Sequence, residues 1–366
     1  MRVLVLVNGD ENSAMGLRAQ VLFGGWEQHE VHIRFRQQGR GRDAVRLARE
    51  VRALRPDVVV LLDLGATNFL GWLFSGRRRP ALITLTGDDI YGYQRLVLGR
   101  GELVCRAARL LEDAALRRSA MIGVRGTFHK KDLEQRGYAN VRLLTDHVDL
   151  EVMRPAPAED LRAWLGLTDM FVVGLVGTVR WNERWRVCYG WDLVEALALV
   201  EQPSVRGLIV GGGDGLGKLR GRSQDLGVAD RLVFTGPVPP EEVYRYINAM
   251  DACLSTQTNN AVGWARTTIK LPEYLACGKY VIATDVGEAS LVLPEIGSLL
   301  PYAPRVVRDE EYPARLAAEI DRLAARPELT RQVRERARQV AEEEFDVRKL
   351  RQLARAMAEE AVGGSR

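Results

Sequence analysis

A chain of 366 residues, 46% hydrophobic and 27% charged, carries enough apolar material for two buried cores and is not the composition of a disordered protein. Its net charge of +4 is uneven: residues 1–168 hold 26 Lys and Arg against 20 Asp and Glu, and the remainder 26 against 28. Aromatic residues do not interleave with the basic ones, which argues against a nucleic-acid platform, and a basic first half instead suits an anionic membrane surface or an acidic acceptor. Cys105, Cys188, Cys253 and Cys277 form no Cys-x-x-Cys pair, and His29, His32, His129 and His147 share no ligand spacing with them. No disulfide framework and no metal are expected.

The opening "MRVLVLVNGD" reads as a strand running into a loop, since it lacks a long apolar region and a small-residue cleavage site. The most apolar stretch, 58–74, is broken by Asp63, Gly65 and Asn68 and falls short of the roughly 20 apolar residues that span a bilayer. A soluble, cytoplasmic protein is expected, with peripheral contact at the inner face of the membrane through the basic N-terminal domain as a further partner. Strands are predicted at 3–7, 30–35, 57–62, 81–85, 120–124 and 141–144, with helices near 43–54, 102–118 and 126–136. Strands alternating with helices imply a parallel sheet covered on both faces.

Pro155 and Pro157 break this rhythm within 151–168, which reads as a hinge. It then restarts, with strands at 170–177, 205–212, 231–236, 252–256 and 279–284 and helices near 191–200, 216–226, 240–250 and 267–277. The last 50 residues read as helical. The fold class is therefore α/β, with two Rossmann-like doubly wound parallel sheets and a C-terminal helical tail. Ligands of such sheets bind beyond the carboxyl ends of the strands, so a central cleft between the halves is the expected site. The predicted divisions are an N-terminal domain over 1–155, a second over 156–345, and a helix over 346–366 returning toward the first.

"GGDGLGKL" at 212–219 nearly spells a phosphate-binding loop, but Leu219 stands where a hydroxyl would hold magnesium. A tight strand-to-helix turn explains the same glycines. In "TTIKLPEYLACGKYVIATD" (267–285), by contrast, a helix carries Lys270 and Glu273, stops at Gly278 and feeds a buried strand.

Six fragments in order resemble the retaining nucleotide-sugar glycosyltransferases of glycosyltransferase family 4. "DHVDLEVMRP" (146–155) is similar to the family's domain-crossing phrase, "VVGLVGTVRWN" to the opening of its second domain, and "YGWDLVEALALV" to its K-G-x-D helix. "LIVGGGDG", "RLVFTGPVPPEEVYRYINAMDACLST" and "EYLACGKYVIATDVGE" follow in the family's order. The resemblance implies a GT-B-type hexosyltransferase. It would move a sugar from a nucleotide diphosphate to an acceptor (a glycan, a lipid-linked molecule or a small molecule), with retention and without cofactor or metal ion.

It also implies site residues. Glu273 would accept hydrogen bonds from the ribose hydroxyls, and the amides of Thr267 and Thr268 would meet the diphosphate, with Gly213 in the adjoining turn. The family's usual Arg and Lys fall at Thr178 and Tyr189, so Arg180, Arg184, Arg186 and Lys270 are the candidate catalytic cations. In the first half, Gly16 in "NSAMGLRA" would let a loop approach the phosphates, with Ser13 as the helix cap, and Asp88 and Asp89 in "LITLTGDDIYG" would contact sugar or acceptor. Two departures matter: Ala265 replaces a family glutamate, and Thr86 replaces a histidine. They keep alive a catalytically degenerate sugar-nucleotide-binding protein, beside the remoter P-loop-like phosphotransferase.

Overall fold

A computed structural model describes residues 1–35, 42–87, 89–265, 267–304 and 308–364. The chain divides into two compact units: residues 1–145 with 264–266 and 347–366, and residues 146–263 with 267–346.

The first unit is built on six parallel strands, β1 (Arg2–Val7), β2 (Glu30–Phe35), β3 (Val58–Leu62), β4 (Ala81–Thr86), β5 (Met121–Val124) and β6 (Val141–Leu143), in the order β2-β1-β3-β4-β5-β6. Strand β1 explains the unbroken apolar runs in the sequence. Val3, Val5 and Val7 enter the core on one face of the sheet, while Leu4 and Leu6 enter that on the other. A parallel sheet covered on both faces has no solvent side, so its strands do not alternate with polar residues. The helix Ala14–Phe23 escapes a periodicity reading because Gly16 and the charged Arg18 are among its buried residues. Arg18 is satisfied by donating to the Leu144 and Thr145 carbonyls at 2.6 and 2.9 Å.

The second unit has six more parallel strands, β7 (Phe171–Val176), β8 (Val205–Val210), β9 (Leu232–Gly236), β10 (Ala252–Ser255), β11 (Tyr280–Thr284) and β12 (Gly297–Leu300), ordered β12-β11-β10-β7-β8-β9. The strand order reverses between β7 and β10, and crevices at such switch points take ligands in open α/β sheets. The edge strand β12 is absent from the sequence reading, and its "GSLL" is too short and too little buried to carry a strand pattern.

The helix Val347–Gly363 belongs to the first unit, where Leu350, Ala354, Met357, Ala358 and Ala361 complete the core on one face of its sheet. Met357, 1% exposed, sits at the middle of that contact. Met357→Ala should cost about 2–5 kcal/mol through lost burial and the cavity left behind. Urea unfolding of the full chain measures it, and a loss below half a kcal/mol would mean that the helix does not complete this core.

Candidate functional site

In the second unit the sheet is extended past the carboxyl ends of β7 and β8 by backbone alone. Gly177 donates to the Val210 carbonyl, Val179 to Gly212, and Gly215 back to Val179, all at 2.9–3.0 Å. Glycine is required here. Gly213 has φ +148°, and a Cβ on it would lie 2.1 Å from the Val179 carbonyl oxygen. Gly177 has φ +151°, and a Cβ there would meet Lys270 Cε at 2.5 Å. The bare turn at Gly177 thus lies beside the lysine.

The helix Lys270–Ala276 is fastened to the end of β7 by its own Tyr274, fully buried, whose hydroxyl accepts the Val176 amide proton at 2.9 Å. Lys270 Nζ stands 4.9 Å from the ring centre of Tyr189, and the Tyr189 hydroxyl donates to the Leu254 carbonyl at the end of β10. Lys270, Tyr189 and Gly177 therefore meet at the carboxyl ends of the two strands that flank the switch point. Sequence reasoning noted Tyr189 only as the residue standing where the family keeps a cation, and passed over Gly177; the glycine directly after a buried strand was the signal available.

Glu273 lies one turn along the same helix. Burial pushes its carboxyl up to about 7, with Lys270 drawing it back down and Asp146 adding to the rise. It is poised to ionise near neutrality, and hydrogen-bond donors brought to it would favour the charged form.

Thr267 and Thr268 do not open the helix, which is a correction. Regular helical bonding starts at Lys270, because Thr268 accepts the Leu271 amide in a turn and Ile269 occupies the preceding position without a side-chain cap. Thr267 is buried, and the Thr268 hydroxyl lies 3.4 Å from Ser255 Oγ at the end of β10. Arg180, Arg184 and Arg186 are exposed and, among the described residues, make no ion pair. Arg184 and Arg186 sit in a tight turn held by Asn182, which accepts the Arg186 amide on its carbonyl and the Trp185 amide on its side chain. The near-phosphate-loop is a strand-to-helix turn: Leu219 is a core residue, and Lys218 lies over the Trp181 ring.

In the first unit Ser13 caps its helix by accepting the Gly16 amide at 3.1 Å. Gly16 is packed against its own loop, where a Cβ would stand 2.2 Å from the Asp10 carbonyl oxygen. Asp89 accepts from the Gly92 amide on one oxygen and from Arg109 on the other, both within 2.8 Å. Asp88 lies outside the described residues. Thr86 donates to Glu112, a buried carboxyl the sequence reading missed, and Glu112 Oε2 has Arg109 at 3.7 Å but accepts no hydrogen bond among the described residues. Burial raises Glu112 to about 7. Among the described residues no group of three His, Cys, Asp or Glu could hold a metal ion, and no helix is long and apolar enough to cross a membrane.

Residues 170–326, which contain this constellation, match the family described as Glycosyl transferases group 1. Over these residues the chain is similar to the group 1 glycosyltransferases. It is 28% identical over 263 residues to a D-inositol 3-phosphate glycosyltransferase of Acidothermus cellulolyticus, covering 68% of this chain and 53% of that protein. It is 26% identical over 232 residues to a 2-deoxystreptamine glucosyltransferase of Streptomyces kanamyceticus, covering 62% and 56%. The matched stretches thus span about half the length of these relatives. The fold is GT-B. Anabaena HepE, solved in complex with UDP-glucose, superposes with a TM-score of 0.76 at 18% identity over 97% of this chain and 98% of its own. Sucrose-phosphate synthase from Thermosynechococcus elongatus gives 0.76 at 18% over the whole of both. Group 1 glycosyltransferases thus supply the frame in which the positions of Glu273 and Lys270 are interpreted.

The buried carboxyl of Glu112 generates a pH test. Its ordinary value is 4.5 and its folded value about 7. The folded chain therefore binds the extra proton between these limits, and stability falls as pH rises from about 4.5 through 7. Glu112→Gln should remove up to about 3 kcal/mol of that loss. Urea titrations at pH 5 and pH 8 read it, and parallel pH profiles for variant and wild type would assign Glu112 an unshifted carboxyl.

Proposed function

We propose that the chain transfers a sugar from a nucleoside diphosphate donor to an acceptor, with retention at the anomeric carbon, and that the second unit binds the donor. The observation that carries this reading is the placement of Lys270 and Glu273 on one helix pinned by Tyr274 at the switch point of the sheet, with the Lys270 side chain against the bare turn at Gly177. Glu273 accepts from the ribose hydroxyls, and ionises as it does so. The backbone at Gly213, Thr267 and Thr268 approaches the diphosphate. Departure of the sugar leaves negative charge on the β-phosphate, and Lys270 meets it together with a cation from the turn that holds Arg180, Arg184 and Arg186. In this reading the protein supplies the positive charge that a metal ion would otherwise bring. HepE holds UDP-glucose, so a uridine diphosphate sugar is the first donor to test.

In the first unit, Gly16 shapes the loop after β1, and Asp88 and Asp89 are assigned to the sugar or acceptor side. The acceptor class stays open among glycans, lipid-linked molecules and small molecules. The basic balance of the first half supports contact with an anionic surface.

Glu273→Ala should weaken nucleotide binding by about 1.5–3 kcal/mol, the range for hydrogen bonds to a charged group. The sign of the pH effect follows from its raised carboxyl. Hydroxyl donors favour the ionised form, so binding releases a proton and affinity for UDP-glucose should rise between about pH 6 and 8. Glu273→Gln should flatten that profile. Calorimetry on folded variants checks both, and unchanged affinity in the alanine variant would take Glu273 out of the site.

The cations separate enzyme from binder. At least one of Arg180→Ala, Arg184→Ala and Arg186→Ala should lower turnover about tenfold or more, because its charge is needed most in the transition state. Normal turnover in all three would make that turn a solvated surface. Tight donor binding with neither transfer nor donor hydrolysis would support the degenerate sugar-nucleotide-binding protein instead.

A further inference from the structure

The helix Glu102–Leu116 buries Cys105, Glu112, Ala115 and Leu116 on its inner side. At 100° per residue, Leu103, Ala107 and Leu110 fall within about 60° of one another on the opposite side, where a surface helix is ordinarily polar. Leu103 is 83% exposed and Leu110 69%. Val97 and Leu98, in the turn just before, and Val104 are exposed too, so five of the thirteen large apolar side chains exposed among the described residues fall between 97 and 110. Scattered single exposures are ordinary on a protein surface, whereas such a concentration marks an interaction face.

The surroundings of this stripe are basic. Arg95 and Arg106 flank it and share one carboxylate, that of Glu102. At its far end the loops entering the adjacent strands β4 and β5 bring Arg77 and Arg78 to the same end of the sheet as Arg117 and Arg118. The side chains of Arg77, Arg78 and Arg100 have no hydrogen-bond or ion-pair partner among the described residues. Phe74, 57% exposed, stands just before the first of these loops.

We infer that this face docks on an anionic lipid bilayer, with the Leu103–Leu110 stripe lying in the interface and the arginines against the headgroups. Apolar side chains flanked by basic ones are what such an interface rewards, because burial in the acyl boundary and attraction to anionic lipid add together. A second copy of the chain is the poorer occupant: a two-fold contact would set the same arginines against one another. The inference uses none of the residues assigned to the donor and stands whether or not that assignment holds.

The full chain is sedimented with vesicles of phosphatidylcholine alone and of phosphatidylcholine mixed with phosphatidylglycerol, at low and high salt. Binding is expected to the mixed vesicles and to weaken with salt. The doubles Leu103→Glu with Leu110→Glu, and Arg77→Glu with Arg78→Glu, should each reduce partitioning at least about tenfold. All four side chains are exposed, so thermal unfolding should match the wild type; if one double fails to fold, the other decides. No binding to the mixed vesicles, equal binding to neutral ones, or binding that both doubles retain would overturn the inference. So would a wild-type dimer in light scattering that the leucine double dissolves, which would make the face a contact between copies.

Discussion

The hydroxyl of Tyr274 takes the amide proton of Val176, the last residue of β7, and on that hydrogen bond the candidate site depends. Val176 ends a buried strand, so its amide must find a partner or cost free energy, and Tyr274 supplies one from the following helix. The bond fixes the helix against the sheet. Lys270 is then one turn before the anchor and Glu273 immediately before it, which brings the ammonium to the bare backbone of Gly177 and leaves the carboxyl half-enclosed. A different fastening would give the same helix a different pair of groups at the switch point.

Enclosure has an electrostatic consequence. Burial raises the carboxyls of Glu112, Asp192 and Glu273 above their ordinary range. Each is destabilising once ionised, and each lies near a cation that limits the rise: Arg109, Arg308 and Lys270 respectively. Retaining carboxyls where an apolar side chain would be cheaper is the pattern expected of groups kept for a task, although structural networks also produce it. Glu273 is the one on the switch-point helix, one turn from the lysine that meets Gly177. Asp192 stands instead beside Arg308, which also pairs with Glu195.

Most of the fold was legible in the sequence because strands buried on both faces write themselves as apolar runs such as "VLVLV" and "DVVVLL". The exceptions have local causes. The helix Ala14–Phe23 hides a buried arginine that donates to the carbonyls of Leu144 and Thr145, and no periodicity announces such partners. Strand β12 is four half-buried residues at a sheet edge. Of the candidate site, the residues carried by a helix-to-strand pattern, Lys270 and Glu273, could be picked out along the chain. Gly177 could not, and Tyr189 was visible only as the residue at a family cation position, since the importance of both lies in standing next to Lys270 across a gap of more than eighty residues, which only the packed sheet shows. The threonines were misjudged by one turn because Ile269 and the buried Thr267 continue an apolar spacing that the backbone does not follow.

The helix Val347–Gly363 sets an order of events during synthesis. Residues 1–145 leave the ribosome before residues 347–363, so their sheet is missing Leu350, Ala354, Met357, Ala358 and Ala361 on one face until that later helix has been made. Val3, Val5, Leu22 and Val60 belong to that waiting face. The second unit, made of nearly contiguous chain, has its own cores complete earlier. Of the two units, the one begun earlier is therefore completed later, and while translation continues its open apolar face is a surface for chaperones, and for aggregation if they are scarce.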